Sequence, residues 1–236
     1  MKKIVFIANN NMPSEGMSGG DRIFIELIKD WKNKLDVTLC GSKEAINLAQ
    51  NNGVKSINII NTSPLSYQPQ NQSIKKITKI SYLIKHILIK TTRGLVSIQK
   101  NFNLLSSFNY VYSVSDFYPD FLPALFLKLR QPKIKWIAGY YLFAPTPLAK
   151  DSPYQGQARI KGLLYYLMQI PSYHLIRLLA DFVFVTSEPD VKKFITTGRN
   201  KNRIIVIRGG VDISRSEKYL KTDKIIPILK YQRRHE

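Results

Sequence analysis

The sequence predicts an α/β fold in which helices cover both faces of a doubly wound parallel sheet. Short apolar runs rich in β-branched residues recur along the chain, as expected for buried strands. Stretches with apolar residues at helical spacing separate these runs. The first three runs and the two helical stretches between them fall within about sixty residues, which is the βαβαβ rhythm of a parallel sheet.

The first unit is predicted to be a strand, a glycine turn and a helix. The strand is the apolar run Ile4–Ala8, and helical spacing begins after Ser18-Gly19-Gly20-Asp21. Ser18 is the predicted N-cap, and Asp21 in the first turn suits the helix dipole. Glycines let backbone N–H groups approach an anion at the start of a helix, so Gly19 and Gly20 are candidate phosphate-binding residues. The alternative is that they only make the turn.

The next elements continue the alternation of strand and helix. Strands are predicted at residues 36–40 and 56–60, and a helix over residues 43–52, which Gly53 ends, lies between them. These elements complete the first half of the predicted sheet.

A basic amphipathic helix is predicted over residues 75–93, in a part of the chain without acidic residues. The predicted apolar side carries Ile77, Ile80, Ile84, Ile87 and Leu88. The predicted membrane contacts are Lys75, Lys76, Lys79, Lys90 and Arg93. Such a helix is typical of a segment that lies on an anionic membrane surface. The alternative is a helix whose apolar side packs on the domain core and whose lysines face solvent.

The segments that follow the fourth and fifth predicted strands contain further candidate binding residues. A strand at residues 110–114 leads to Ser115 and Asp116, and Asp120 is a predicted cap of the following helix. Ligands of open α/β sheets bind at the carboxyl ends of the strands, so Ser115 and Asp116 are candidate binding residues. Tyr140 follows the strand predicted at residues 134–138 and is expected to line the same cleft.

The remaining elements are a long helix and two more strands. The helix over residues 157–179 contains no acidic residue, and Pro171 is expected to kink or divide it. It is a second candidate for membrane contact, although packing on the core is the stronger alternative. After the strands at residues 182–186 and 203–207, the candidate binding residues are Ser187, Glu188, Arg208, Gly209 and Gly210.

Composition limits the classes of partner. The 36 Lys and Arg residues against 16 Asp and Glu residues leave a formal charge of +20, which favours a partner that bears phosphate, such as nucleic acid, anionic lipid or a sugar nucleotide. The lone Cys40 and the absence of a signal-peptide pattern predict a cytoplasmic protein, with a peripheral position on the inner face of the membrane as an extension of that prediction.

The sequence lacks the motifs of several kinds of catalytic and metal-binding site. We find no zinc-binding spacing, no nucleophile elbow and no acidic pair that would hold a metal-bound diphosphate, so neither a metal nor a cofactor is predicted. No zinc-finger, RNP or helix-turn-helix signature supports a nucleic-acid binder. The expected mode of action is therefore positioning and electrostatics.

Three segments in order resemble the N-terminal domain of GT-B glycosyltransferases of family 4. They are the Gly19-Gly20 helix start, the stretch Ala180–Glu188 (ADFVFVTSE) and the stretch Ile204–Asp212 (IIVIRGGVD). The resemblance covers residues 1–213, and residues 214–236 resemble the start of an interdomain linker.

The resemblance implies a Rossmann-like acceptor-side domain of a retaining, metal-free enzyme. Such an enzyme transfers a sugar from a nucleotide sugar to a glycan or lipid-linked acceptor, and many members lie on the inner membrane surface. Two features depart from the family pattern: Gly139-Tyr140-Tyr141 stands where relatives place a histidine, and no E-x7-E motif of the donor-binding domain occurs. We therefore expect a truncated product or one half of a split enzyme, inactive alone, whose partner would be a separately encoded donor-binding domain. The alternative function is a non-catalytic α/β module that binds anionic lipid.

Overall fold

Seven parallel strands form one sheet in the computed structural model, which describes residues 1–10, 17–64, 80–149, 152–156, 158–197 and 199–208. The strand order is β3-β2-β1-β4-β5-β6-β7. The strands are β1 (Lys3–Ala8), β2 (Asp36–Gly41), β3 (Asn58–Asn61), β4 (Tyr110–Ser113), β5 (Lys135–Gly139), β6 (Phe182–Val185) and β7 (Ile204–Val206). The predicted fold class, an open, doubly wound α/β sheet, is confirmed.

Helices connect the strands in the predicted alternation. They are α1 (Gly19–Trp31), α2 (Lys43–Asn51), α3 (Ile80–Lys100), α4 (Phe102–Leu105), α5 (Tyr118–Arg130), α6 (Ala158–Leu179) and α7 (Glu188–Phe194). Helix α6 continues through Pro171, so the predicted division of this helix is not found. Strand β3 begins later than predicted because Ser56 has a φ of 60°, which a strand does not accommodate.

Strand β1 lies inside the sheet, between β2 and β4, and explains where the core forms. Its residues Ile4–Ala8 are all fully buried, because successive side chains of a strand point to opposite faces and both faces are covered here. On one face Phe6 packs edge-on against Tyr112, with 5.0 Å between ring centroids. On the other face Val5 and Ile7 belong to the cluster that contains Trp136.

Helix α1 starts at the predicted N-cap, Ser18, and Asp21 makes a reciprocal bond that was not predicted. The Asp21 N–H donates to Ser18 Oγ at 3.2 Å, and the Ser18 N–H donates to Asp21 Oδ2 at 2.9 Å. These reciprocal bonds form a capping box, which satisfies amide groups that the helix itself leaves without partners. The helix therefore begins at a defined point immediately after Ser18.

The orientation of α3 differs from the prediction. Lys90, a predicted membrane contact, is only 5% exposed, whereas Leu88 from the predicted apolar side is 61% exposed. Lys90 turns inward because its Nζ lies 3.4 Å from Glu44 Oε2. Gly94 lets the same helix pack closely on α5, since a Cβ there would lie 2.8 Å from Pro123 Cγ. Lys90 is thus an internal residue, which corrects the prediction of membrane contact.

The other predicted contacts on this helix have different outcomes. Arg93 is partly exposed, and Lys75, Lys76 and Lys79 lie outside the described residues. Ile84 is exposed together with Leu88, and Ile87 is buried. The predicted division into one apolar and one basic side is therefore wrong for the described part of α3.

Candidate functional site

The candidate site lies at the carboxyl edge of the sheet, where the strand order reverses. Strand β1 pairs with β2 on one side and with β4 on the other, and the connections leave these strands in opposite directions. In open α/β sheets the crevice at this point is the usual place of ligand binding. The segments that meet there follow β1 and β4, and they begin at Asn9 and Val114.

Asp120 in the first turn of α5 holds the end of β1. Its Oδ1 accepts the backbone N–H of Asn9 at 2.6 Å and that of Asn10 at 3.0 Å. Its Oδ2 accepts the hydroxyl of Ser115 at 2.5 Å. Asp120 is 2% exposed, and burial raises the pKa of its carboxyl to about 7, against the lowering effect of these hydrogen bonds.

The side chain of Asn9 connects the same point to two other elements. Its Nδ2 donates to the carbonyl of Pro119 at 3.1 Å, and its Oδ1 accepts the hydroxyl of Thr62 at 2.7 Å. Thr62 follows β3, and Pro119 lies at the start of α5. The chain is therefore fixed where it leaves β1, before the glycine turn.

The two glycines of the turn have different surroundings. A Cβ on Gly20 would lie 3.3 Å from Cδ2 of Tyr141, so Gly20 packs closely against the segment that follows β5. Tyr141 is held in turn by its hydroxyl contact with Tyr112 and by the hydroxyl of Thr186, which donates to its carbonyl at 2.7 Å. A Cβ on Gly19 would meet no described atom within 4 Å, and Gly19 is exposed.

Asp116 lies beneath α6 and does not face solvent. Nε2 of Gln169 donates to its Oδ2 at 2.9 Å and to the carbonyl of Leu142 at 2.7 Å. The Oε1 of Gln169 accepts the N–H of Ala144 at 2.6 Å. Burial raises the pKa of Asp116 to about 6, with the Gln169 bond acting in the opposite direction. Gln169 therefore fastens α6 to Asp116 after β4 and to the segment after β5.

Tyr140 does not border the cleft, which corrects the prediction. It is 1% exposed and packs among Phe143, Tyr173 and Phe194, whose ring centroids lie 4.6 to 6.1 Å from its own. Burial raises its pKa, and its hydroxyl has no hydrogen-bond partner among the described residues. The adjacent Tyr141 points to the opposite face and reaches Gly20, because neighbouring side chains in an extended segment alternate.

The candidates after β6 and β7 lie farther along the same edge. Ser187 occupies the N-cap position of α7, but its hydroxyl donates to Asp190 Oδ2 at 2.5 Å and makes no capping bond. Glu188 and Arg208 are exposed. Gly209 and Gly210 lie outside the described residues.

Three residues near this edge, Asn9, Asn10 and Gln169, were not identified as site residues from the sequence. Asn9 and Asn10 follow β1 directly, and a polar pair in that place is a signal that could have been used. Gln169 gave no such signal, because a glutamine in an apolar helix has many possible partners. In the described part of the chain, no group of His, Cys, Asp and Glu side chains could hold a metal ion, and none of its helices is long and apolar enough to span a bilayer.

The comparisons with known proteins concern the fold. The chain matches no protein-family model and no curated protein. It is similar to a crystallised UDP-N-acetylglucosamine 2-epimerase, with a TM-score of 0.50 and 13% identity, and the match covers 87% of this chain and 48% of that one. The UDP-N-acetylglucosamine 2-epimerase from Rickettsia bellii has a TM-score of 0.48 and 12% identity, and the match covers 94% of this chain and 50% of that one. Anabaena HepE in complex with UDP has a TM-score of 0.47 and 13% identity, with 92% and 50% covered.

The match with a TM-score of 0.50 concerns the class of fold alone. The chain is an open, Rossmann-like α/β domain of the type found in GT-B enzymes. It spans about half the length of the solved structures that it matches.

Proposed function

We propose that this domain is the acceptor-side half of a retaining, family 4-like glycosyltransferase that takes its sugar from a nucleotide sugar. The acceptor would be a glycan or a lipid-linked saccharide. A second, donor-binding domain would complete the enzyme, since the matched structures are about twice as long as this chain. The epimerase with the similar fold is named for a UDP-sugar, which makes UDP-sugars the donors to test first.

The observation that carries the proposal is the exposed glycine backbone at the start of α1. Gly19 lies at the positive end of a capped helix, beside the point where the strand order reverses. The fold does not require glycine there: the φ of Gly19 is not positive and no described atom would meet its Cβ. Its lack of a side chain instead leaves the N–H groups of Gly19 and Gly20 open to a phosphate, while the N–H of Asp21 is already bound by Ser18.

The other candidate residues have distinct roles in this proposal. Ser115 would border the acceptor, because its hydroxyl lies at the end of β4 and is oriented by Asp120. Glu188 and Arg208 would face the second domain from the exposed end of the same edge. Asp116 would act indirectly by fastening α6.

Binding of UDP to the full chain tests the proposal. We expect UDP and UDP-glucose at millimolar concentration to shift the backbone amide NMR signals of Gly19 and Gly20, since one domain supplies only part of a nucleotide-sugar site. Uridine, which lacks the phosphates, is the matched ligand control and should leave both signals unchanged. Equal shifts with uridine, or none with UDP, would contradict the phosphate role of the turn.

The alternative function, binding to an anionic membrane, is favoured by one specific observation on α6. Its apolar residues at positions separated by three and four residues are between 39% and 58% exposed: Ile160, Leu163, Leu167 and Ile170. This spacing places them on one side of the helix. The helix also packs on the core, through other residues such as the buried Ile176, and this side of it remains exposed.

The charges on α6 favour lipid over other apolar partners. Arg159 and Lys161 are exposed beside this apolar side, and the helix Ala158–Leu179 contains no acidic residue. An amphipathic helix with cationic residues at its border binds anionic bilayers through burial of its apolar side and through attraction of its charges to the lipid headgroups. The two functions are compatible, because a lipid-linked acceptor would be reached from the membrane surface.

Sedimentation with vesicles tests this surface. We expect the protein to bind phosphatidylglycerol vesicles. Leu163→Gln with Leu167→Gln should weaken binding about tenfold or more, since two leucines that would enter the bilayer are lost. Leu129→Gln is the matched control, because Leu129 is an exposed leucine on α5. If the double variant sediments with the vesicles as well as Leu129→Gln does, this side of α6 is not the membrane contact.

A further inference from the structure

A polar pocket of about 300 Å³ opens at the amino edge of the sheet, opposite to the edge that carries the candidate site. Strands β1, β4 and β5 are adjacent and parallel, so their amino ends share this edge. The pocket lies between the residue before β1, the loop of residues 106–109 before β4 and the loop of residues 131–134 before β5. It is therefore separate from the glycine turn.

The pocket has an excess of positive charge. Lys2, Lys133 and Lys135 line it from separate segments, and no acidic residue is among its described lining residues. Lys135 pairs with Asp181, whose other oxygen pairs with Lys128, so two ammonium groups share that carboxylate. In the described part of the chain, no carboxylate lies within ion-pair distance of Lys2 or Lys133. Two ammonium groups at the pocket are thus left uncompensated.

Hydrogen bonds of uncharged residues fix the shape of the pocket. Oδ1 of Asn109 accepts the N–H of Lys3 at 2.8 Å, and the carbonyl of Asn109 accepts the N–H of Lys135 at 2.9 Å. Nε2 of Gln131 donates to the carbonyl of Ser106 at 2.5 Å, which joins the two loops. A ligand would therefore meet a pocket that is already formed, which lowers the cost of binding.

The groups available to a ligand at this pocket are donors. Because Oδ1 of Asn109 is used by Lys3, its Nδ2 remains as a donor, without a partner among the described residues. The ammonium group of Lys2 lies 5.9 Å from the ring centroid of Tyr110, which also lines the pocket and attracts the cation. Ammonium and amide N–H groups suit an anion whose oxygens only accept hydrogen bonds.

We propose that this pocket binds the phosphate group of a phosphomonoester, with Lys2 and Lys133 as its main cations and Asn109 as a neutral donor. Such a group carries about 1.5 to 2 negative charges at neutral pH and three acceptor oxygens. It therefore compensates two ammonium groups, whereas a carboxylate compensates one. The phosphate can belong to a small soluble molecule or to the headgroup of phosphatidic acid. The inference does not depend on the proposed function.

Amide NMR of the full chain during titration with glycerol 3-phosphate tests the proposal. We expect saturable shifts of the side-chain amide of Asn109 and the backbone amides of Lys133 and Lys135 at millimolar concentration, since exposed ion pairs are individually weak. Lys2→Gln with Lys133→Gln, the pocket variant, should weaken binding about fivefold or more because two cations are lost. Glycerol lacks the phosphate and should leave these signals unchanged.

Lys85→Gln with Lys192→Gln is the matched control variant. Both lysines are exposed, on α3 and α7, and neither has a carboxylate partner among the described residues. The control variant loses the same charge as the pocket variant and should keep the affinity for glycerol 3-phosphate within about twofold, because distant exposed charges are screened. Sodium chloride at equal ionic strength should not reproduce the shifts.

Vesicles that contain phosphatidic acid separate the two sources of the phosphate. Sedimentation that is weaker for the pocket variant than for the control variant would assign the site to the lipid headgroup. Binding of glycerol 3-phosphate with equal sedimentation of both variants would assign it to a soluble phosphomonoester.

Three results would overturn the proposal. They are equal responses of the two variants to both glycerol 3-phosphate and the vesicles, shifts with sodium chloride as large as those with glycerol 3-phosphate, and no response to either phosphate source. The signals of Gly19 and Gly20 report the proposed function separately. UDP can therefore fail to shift them while the pocket still binds phosphate, and the reverse result would leave the proposed function intact.

Discussion

Replacing Glu44 by glutamine is expected to lower the free energy of unfolding by about 3 kcal/mol, because the substitution removes one partner of a buried ion pair. Lys90 Nζ lies 3.4 Å from Glu44 Oε2, and both side chains are almost fully buried. Burial lowers the pKa of Lys90, and Glu44 opposes this effect. Without the carboxylate, the ammonium group keeps its desolvation cost and loses its main compensation.

Urea unfolding measures this effect, and two further variants control it. Asp30→Asn removes the carboxylate of an exposed ion pair with Lys34 on the surface and should cost less than about 1 kcal/mol. Adding Lys90→Met to Glu44→Gln should restore most of the loss, since a buried charge is replaced by an apolar chain. Equal losses for Glu44→Gln and Asp30→Asn would mean that the Lys90 pair is not buried.

Replacing Gly139 by alanine is expected to cost about 3 kcal/mol, because the added methyl group would enter occupied space. A Cβ there would lie 2.6 Å from the backbone oxygen of Val114 and 2.9 Å from the hydroxyl of Tyr141. The first contact is with the backbone that directly follows β4, the strand paired with β5, so moving it would disturb the sheet. The second would displace Tyr141, which packs against Gly20.

Gly19→Ala is the matched control for this prediction. No described atom would meet its Cβ, so it should leave stability unchanged or raise it slightly, as alanine favours a helix over glycine. Circular dichroism during urea unfolding compares the two variants. A similar loss for both would show that the space around Gly139 is not as tight as described.

The sequence alone predicts the elements of this fold well, and the reason is local. Strand β1 follows from five consecutive apolar residues, and the start of α1 follows from Ser18 and Asp21 at capping spacing. Periodicity and capping depend on near neighbours in the chain, so they can be interpreted without tertiary contacts. The same holds for the alternation that predicts a parallel sheet.

The orientation of side chains could not be predicted in the same way. Helix α3 carries apolar residues on more than one side, so its inward side depends on two distant contacts, Lys90 with Glu44 and Gly94 with Pro123. Tyr140 and Tyr141 are identical residues in succession, and only their packing makes one internal and brings the other to Gly20.

The sequence by itself determined an α/β domain whose strand edge carries a glycine turn at a capped helix start. Only the tertiary structure decided that Asp120 holds the end of β1, that Lys90 is internal and that one apolar side of α6 is exposed. The physical reason is distance along the chain. Asp120 meets Asn9 and Lys90 meets Glu44 because the sheet order brings their elements together, and no local pattern records which distant residues become neighbours.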